Sequence, residues 1–370
     1  MSNEEELRTP AELEQARVLE PVTDAVPADA VPADAVPAEV VPAEVVRYEQ
    51  SGAESPPFVV PPPVLPWPPP LPPSKPIIWL AFLVVIAGWM TASTVAGVLL
   101  VVGLISERGP EAFKPPRVNV EKLTAEYATT GTGLLVVALT PQLIFALSAI
   151  VPAFFSAEGF RQRLRLRRGR GSRLAWIPLA LATPGIGFIT SWLGSMVFTK
   201  RSSHLNMMAE MFNGAQGWIF FLLLFLIGIM PAIGEEFLFR GYLQSRLEKR
   251  WRPWLAILVS SILFAMAHFD PMHVVLVLPL GIWFGVVSWY TDSLIPPMLA
   301  HMANNVLAVI MTRRSFALTQ GELRTTTLAE DLSDPWSLVV LVVTLISLLI
   351  SVGLLLRRPP LPSPSPQPLS

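Results

Sequence analysis

The sequence predicts an all-α membrane protein, a multi-pass transmembrane helical bundle of about eight spans with disordered, proline-rich termini. Of its 370 residues, 52% are hydrophobic and only 15% are charged, whereas about a quarter of the residues in soluble domains are charged. Long apolar runs recur between residues 77 and 356. Most of the 38 prolines lie outside these runs, toward the two ends of the chain.

The first 76 residues are acidic and then proline-rich. Residues 1–55 contain 13 acidic and three basic side chains, so the near-neutral total charge of -1 conceals an acidic tail and a basic remainder. A proline at every fifth position from Pro27 to Pro42 excludes helix, and the prolines of residues 56–76 favour a polyproline II rod. We expect a disordered spacer, with docking on an SH3-like groove as the alternative. Residues 359–370 form a second, shorter proline-rich tail.

The predicted membrane domain covers residues 77–358. At about 1.5 Å per residue, its apolar segments are long enough for a hydrocarbon core of roughly 30 Å. The fifth to seventh segments are short and closely spaced. Tilted or partly re-entrant helices are therefore the alternative to full spans for these three segments. The eight predicted spans lie near 77–105, 132–155, 174–199, 216–234, 253–269, 272–290, 294–312 and 336–356.

The distribution of basic residues predicts the orientation. Seven arginines fall in the loop 161–173, and four basic residues follow the fourth span in the loop 246–252. With eight spans, the side that carries both loops has 15 basic residues against nine on the other. Because cytoplasmic loops keep the excess of positive charge, both termini are expected in the cytoplasm, with the chain in the plasma membrane of a bacterium. The arginines are expected to meet lipid headgroups and not nucleic acid.

The composition narrows the chemistry that this chain can perform. It has no cysteine, which excludes disulfides, thiolate metal ligands and thiol nucleophiles. Four histidines remain: His204, His268, His273 and His301. We expect a solvated loop position for His204 and an interfacial position for His273.

The fourth span ends in a pair of glutamates followed by an arginine. Glu236 and Arg240 are spaced i and i+4, which allows an ion pair, while Glu235 points about 100° away around the helix. Glu235 therefore has no partner within its own helix. An isolated carboxylate at the end of an apolar run is a candidate general base, and a pair of interfacial glutamates is the alternative.

Two further polar interruptions follow in the fifth and seventh spans. Phe264 and His268 are spaced i and i+4, and so are His301 and Asn305. Buried imidazole and amide groups need partners or a substrate. A water activated by a carboxylate and an imidazole, facing two donors for an oxyanion, is a plausible hydrolytic site.

These three motifs, E-E-x-x-x-R, F-x-x-x-H and H-x-x-x-N in this order, resemble the CPBP family of intramembrane proteases. That family includes the type II CAAX prenyl endopeptidases and the bacterial Abi proteins. The resemblance covers about residues 215–310, a quarter of the chain. It implies an endopeptidase whose site lies inside the membrane and opens to the cytoplasmic side. The implied substrate is a peptide or protein, with a lipid-modified one among the possibilities.

The resemblance also implies roles for single residues. Glu235 and His268 would activate the attacking water, while His301 and Asn305 would hold the oxyanion. Glu236, Arg240 and Phe264 would support the site. Asn305 is preferred to its neighbour Asn304 because of its i+4 spacing from His301.

The need for a metal stays open at this point. Glu235, His268 and His301 could bind zinc as a two-histidine, one-carboxylate set, but the sequence lacks H-E-x-x-H, and we favour chemistry without a cofactor. The alternative function is a catalytically silent membrane scaffold or immunity protein that retains the fold. A proton-coupled transporter is disfavoured because no inverted repeat is visible.

Overall fold

The computed structural model describes residues 78–113, 120–170, 172–198, 200–322 and 328–357. The predicted tails, 1–76 and 359–370, lie outside the described residues. Within these ranges the regular structure is helical throughout, without a strand, which confirms the predicted all-α class.

Seven helices in the described part of the chain are long and apolar enough to cross a membrane. They correspond to seven of the eight predicted spans. The sixth and seventh predicted spans are longer than the sequence suggested, with 21 and 24 residues. The seven are α1 (Ile78–Arg108), α2 (Gly131–Phe154), α3 (Arg173–Val197), α5 (Gly217–Leu247), α7 (Pro271–Thr291), α8 (Ile295–Leu318) and α9 (Pro335–Leu356), while α4 (Ser203–Gly214) is a short helix before α5.

The predicted span 253–269 is where structure and expectation differ. Its helix, α6 (Pro253–Met266), has 14 residues and therefore rises only about 21 Å, less than the roughly 30 Å of a hydrocarbon core. The chain turns directly after it, with Phe269 at a φ of 58°. Asp270 then caps α7 by accepting a hydrogen bond from the backbone N–H of His273 at 2.7 Å. His268 thus lies in a tight turn between two helices.

The two basic loops lie together at one end of the bundle, as the orientation argument requires. Arg165 forms an ion pair with Glu248, which follows α5. The backbone N–H of Leu294, before α8, donates to the carbonyl of Arg165 at 3.0 Å. Arg167 pairs with Asp292 at 2.6 Å. The loops after α2, α5 and α7 therefore meet on the same side.

Arg163 is the exception among these arginines, because its side chain is buried. Its guanidinium donates to the Ser245 hydroxyl at 3.0 Å and to the Tyr242 carbonyl at 3.3 Å. Burial lowers the pKa of Arg163 to about 10, so it remains protonated at neutral pH. This arginine fastens the loop after α2 to the end of α5.

The helix α5 carries the glutamates and is irregular on both sides of them. Leu224–Ile229 and Phe237–Gln244 are π-helical, and the α-helical turn Met230–Glu236 lies between them. Such π-helical insertions occur frequently at functional sites. They shift the angular position of successive side chains, so a regular 3.6-residue period does not hold along the whole of this helix.

Candidate active site

Glu236 and Arg240 form a fully buried ion pair. The Nη1 atom of Arg240 lies 3.1 Å from Oε1 of Glu236, and both side chains are 0% exposed. Arg240 also donates from Nη2 to the carbonyl of Gly281 in α7 at 2.8 Å. Its guanidinium stacks 4.3 Å from the centre of the Phe264 ring. The predicted i, i+4 pair therefore joins α5 to both α6 and α7.

His301, from α8, reaches the same carboxylate. Its Nδ1 lies 3.0 Å from Oε1 of Glu236. We assign the proton to Nδ1 in this contact, because a carboxylate oxygen that also accepts from Arg240 serves as the acceptor. The other ring nitrogen, Nε2, lies 3.8 Å from Oε2 of Glu235. Phe284 stacks on the imidazole with centroids 4.6 Å apart, which holds the ring in its plane.

Glu235 finds its partner in α2, outside the motifs that the sequence singled out. The Nε2 atom of Gln142 donates to Oε1 of Glu235 at 3.0 Å, and both residues are 8% exposed. This contact is consistent with the prediction that Glu235 has no partner within its own helix. Sequence reasoning missed Gln142, although an amide within an apolar span is itself a signal of a polar site.

His268 is half-buried in the turn after α6. Its Nδ1 lies 3.2 Å from the carbonyl oxygen of Phe264 and 3.3 Å from that of Ala265. Since carbonyl oxygens only accept, Nδ1 donates and Nε2 is left as the acceptor. The Phe264 ring contacts the His268 ring at 5.4 Å and the His301 ring at 5.8 Å between centroids. Phe264 of α6 therefore connects His268 to His301 of α8, which contacts both glutamates of α5.

The other two histidines continue this group. The rings of His268 and His273 pack edge to face with centroids 4.5 Å apart. His204, in α4, lies 5.6 Å from His273. The expected loop and interfacial positions did not anticipate these contacts. All four histidines thus belong to one chain of ring contacts that runs from His301 to His204.

Asn305 occupies a different part of the same helix face. Within the described residues, its Nδ2 donates to the carbonyl of Ile227 at 3.3 Å, and its Oδ1 accepts from Asn304 at 3.2 Å. Its hydrogen bonds run along α5 and α8 and not to Glu235 or His301. One of the two amide N–H groups of Asn305 is engaged in this way, which leaves the second as a donor.

The sequence leaves open a zinc site formed by Glu235, His268 and His301, although we favour chemistry without a metal. No group of three His, Asp or Glu side chains in the described residues is arranged to hold a metal ion. Zinc needs its nitrogen and oxygen ligands at about 2.0–2.2 Å from one point. The Phe264 ring contacts both imidazoles that such a set would use. In this arrangement Glu235, His268 and His301 do not converge on one point.

Comparison with known proteins concerns the same part of the chain. Residues 217–307 match the family described as "Type II CAAX prenyl endopeptidase Rce1-like". The protein named "Putative membrane peptidase YdiL" of Bacillus subtilis (strain 168) is 30% identical over 90 residues, which are 24% of this chain and 37% of that protein. The match thus spans little more than a third of that relative. No solved structure matches this chain.

Proposed function

We propose that this chain hydrolyses peptide bonds with a water activated by Glu235 and His268. The match of residues 217–307 to the Rce1-like family of type II CAAX prenyl endopeptidases supports a peptidase. The proposal rests on the distance of 3.8 Å between Oε2 of Glu235 and Nε2 of His301. That separation is too long for a direct hydrogen bond, and both side chains are buried. A water and a substrate carbonyl could be held by these two groups.

Glu235 has the arrangement that a general base needs. Its Oε1 is held by Gln142, while Oε2 points toward His301. Oε2 takes a proton from water as the water oxygen bonds to the carbonyl carbon, and the carbonyl oxygen becomes an oxyanion. The C–N bond then breaks, and the proton passes to the leaving amine nitrogen. The products are a carboxylate and an amine, with water as the only co-reactant.

His268 is the second group for proton transfer in this proposal. Because its Nδ1 is held by two backbone carbonyls, its tautomer leaves the Nε2 lone pair to accept a proton. Its turn connects α6 to α7, two helices that pack beside α5. His268 would share with Glu235 the task of deprotonating the water and of carrying a proton to the amine.

The oxyanion would be stabilised by His301 and Asn305. His301 donates from Nε2 when both of its ring nitrogens carry protons, with Nδ1 anchored on Glu236. Asn305 would contribute its second N–H, because the first is engaged by Ile227. Glu236, Arg240 and Phe264 would support the site by holding the His301 ring and by joining three helices.

We propose that the reaction needs no cofactor. This is supported by the poor fit of a metal among the described residues, where no group of three ligands converges. The substrate would be a peptide or protein at the membrane, with lipid modification as one way of bringing it there. Because the arginine-rich loops lie on one side, we propose that this side faces the cytoplasm, and with it both termini of a chain in the plasma membrane.

The test is a cleavage assay on the purified protein in liposomes. Wild type would be incubated with a peptide library and with a C-terminally lipidated peptide, beside Glu235→Gln, His268→Gln and His301→Gln. We expect cleavage by wild type and a loss of about 100-fold or more in each variant. Cleavage that persists in all three variants would disprove the assigned site. A folded wild type that cleaves none of these peptides would instead favour the silent scaffold.

A further inference from the structure

Gln142 stands apart from the motifs that define the candidate site. It lies in α2, whereas the family match begins at residue 217. Its side chain is 8% exposed and its amide donates to Oε1 of Glu235 at 3.0 Å. The contact joins residues 93 positions apart. A helix outside the matched segment therefore supplies a direct partner to the proposed general base.

We propose that Gln142 is a positioning residue of this site, which fixes the carboxylate of Glu235 and determines which of its two oxygens activates water. This inference rests on the proposed function. With Oε1 of Glu235 occupied by Gln142, Oε2 is the oxygen that faces Nε2 of His301 at 3.8 Å. A freely rotating carboxylate would present either oxygen and would spend less time in the productive orientation.

The backbone is built to bring Gln142 to this position. A Cβ atom added at Gly234 would lie 2.5 Å from the carbonyl oxygen of Gln142 and 2.8 Å from its Oε1. Only glycine permits so close an approach of α2 to α5 at the residue before Glu235. The close contact of the two helices and the hydrogen bond from Gln142 to Glu235 therefore occur at the same point.

The second polar atom of Gln142 argues for function over stability. Its Oε1 is buried and has no hydrogen-bond partner among the described residues. A buried acceptor without a partner costs free energy, and an apolar side chain of similar length would avoid this cost. A residue that breaks a local rule of stability is expected where function requires it. Gln142 is such a residue, because its amide serves the carboxylate of Glu235.

The decisive variant is Gln142→Met, which keeps the length of the side chain and removes both polar atoms. We expect kcat to fall about 10- to 100-fold, because the carboxylate loses its fixed orientation. KM should stay within about twofold, since Gln142 acts through Glu235 and does not bind the substrate. Ser148→Ala is the matched control, because Ser148 lies in the same helix and donates only to the carbonyl of Ile144, at 2.8 Å.

Two further measurements separate this inference from the proposed function. The carboxylate band of Glu235, isolated by infrared difference spectra against Glu235→Gln, should shift in Gln142→Met and not in Ser148→Ala. In a Glu235→Asp background, Gln142→Met should lower kcat by less than it does in wild type, because both changes affect one carboxylate.

The outcomes are distinct. An unchanged infrared band, or an unchanged kcat in Gln142→Met, would overturn the positioning role. A fall in the thermal stability of Gln142→Met that accounts for its lost activity would also overturn the positioning role. A wild type that cleaves no peptide while the band shifts would keep the contact but overturn the proposed peptidase, and with it the positioning role of Gln142.

Discussion

Oε1 of Glu236 lies 3.0 Å from Nδ1 of His301, a residue 65 positions further along the chain. The same oxygen accepts from Arg240 at 3.1 Å. One carboxylate oxygen thereby connects the buried charge of α5 to the imidazole of α8. The position of His301 in front of Glu235 consequently depends on the ion pair behind it.

The first prediction concerns that ion pair. Glu236→Leu would leave the guanidinium of Arg240 buried without its carboxylate. Arg240→Met would leave the buried carboxylate of Glu236 without a guanidinium, with His301 as its remaining partner among the described residues. We expect each variant to lower the free energy of unfolding by about 3–5 kcal/mol. The double variant should lose less than the sum of the two, because neither charge is then left alone. Denaturant unfolding in detergent micelles measures all three, and strictly additive losses would contradict the prediction.

The second prediction isolates the charge of Glu235. In Glu235→Gln the side-chain oxygen can still accept from Gln142, so the fold should keep its stability. We expect kcat to fall by about 100- to 10,000-fold, because an amide cannot take a proton from water. Glu248→Gln is the matched control, since Glu248 follows the same helix and pairs with Arg165 at the basic end of the bundle. Equal losses in both variants would show that Glu235 has no special role.

The third prediction separates two possible tasks of His268. His268→Asn places an amide where Nδ1 donates to the carbonyls of Phe264 and Ala265, and His268→Gln places one where Nε2 lies. If Nε2 transfers a proton, both variants should lose about 100-fold or more in kcat. If Nε2 only accepts a hydrogen bond, His268→Gln should retain most of the activity. The ratio of the two kcat values in the cleavage assay distinguishes these roles.

The sequence predicts local relationships within one helix and fails for those between helices. The Glu236–Arg240 pair follows from i, i+4 spacing and is present in the structure. The partner of Glu235 depends on the packing of α2 against α5, which no spacing reveals. The contact of His204 with His273 likewise depends on where α4 folds back onto the start of α7.

The length of α6 shows a second limit. Residues 267–269 read Ala-His-Phe and continue the apolar run, so hydropathy alone extends the predicted span to 269. The helix ends at Met266 because Phe269 adopts a positive φ and Asp270 starts the next helix with its side-chain cap. Caps and single backbone angles set the ends of helices, and hydropathy does not detect them.

The fourth prediction concerns the two neighbouring asparagines. If the second N–H of Asn305 donates to the oxyanion, Asn305→Ala should lower kcat by about 100- to 1,000-fold with little change in KM. Asn304→Ala removes only the amide that donates to Oδ1 of Asn305, so a smaller loss is expected. Kinetics of the two variants on one substrate give the comparison. A larger effect at Asn304 would assign the oxyanion role to that residue.

The last prediction tests the chemistry without a metal. From Glu235 and His301 a metal could take only Oε2 and Nε2, because Glu235 Oε1 accepts from Gln142 and His301 Nδ1 faces Glu236. Among the described residues no third His, Asp or Glu side chain converges with them on one point. We therefore expect EDTA and 1,10-phenanthroline to leave kcat unchanged, and added zinc to give no increase. Activity that chelators abolish and zinc restores would require these side chains to rearrange around an ion, and would overturn the proposed metal-free mechanism.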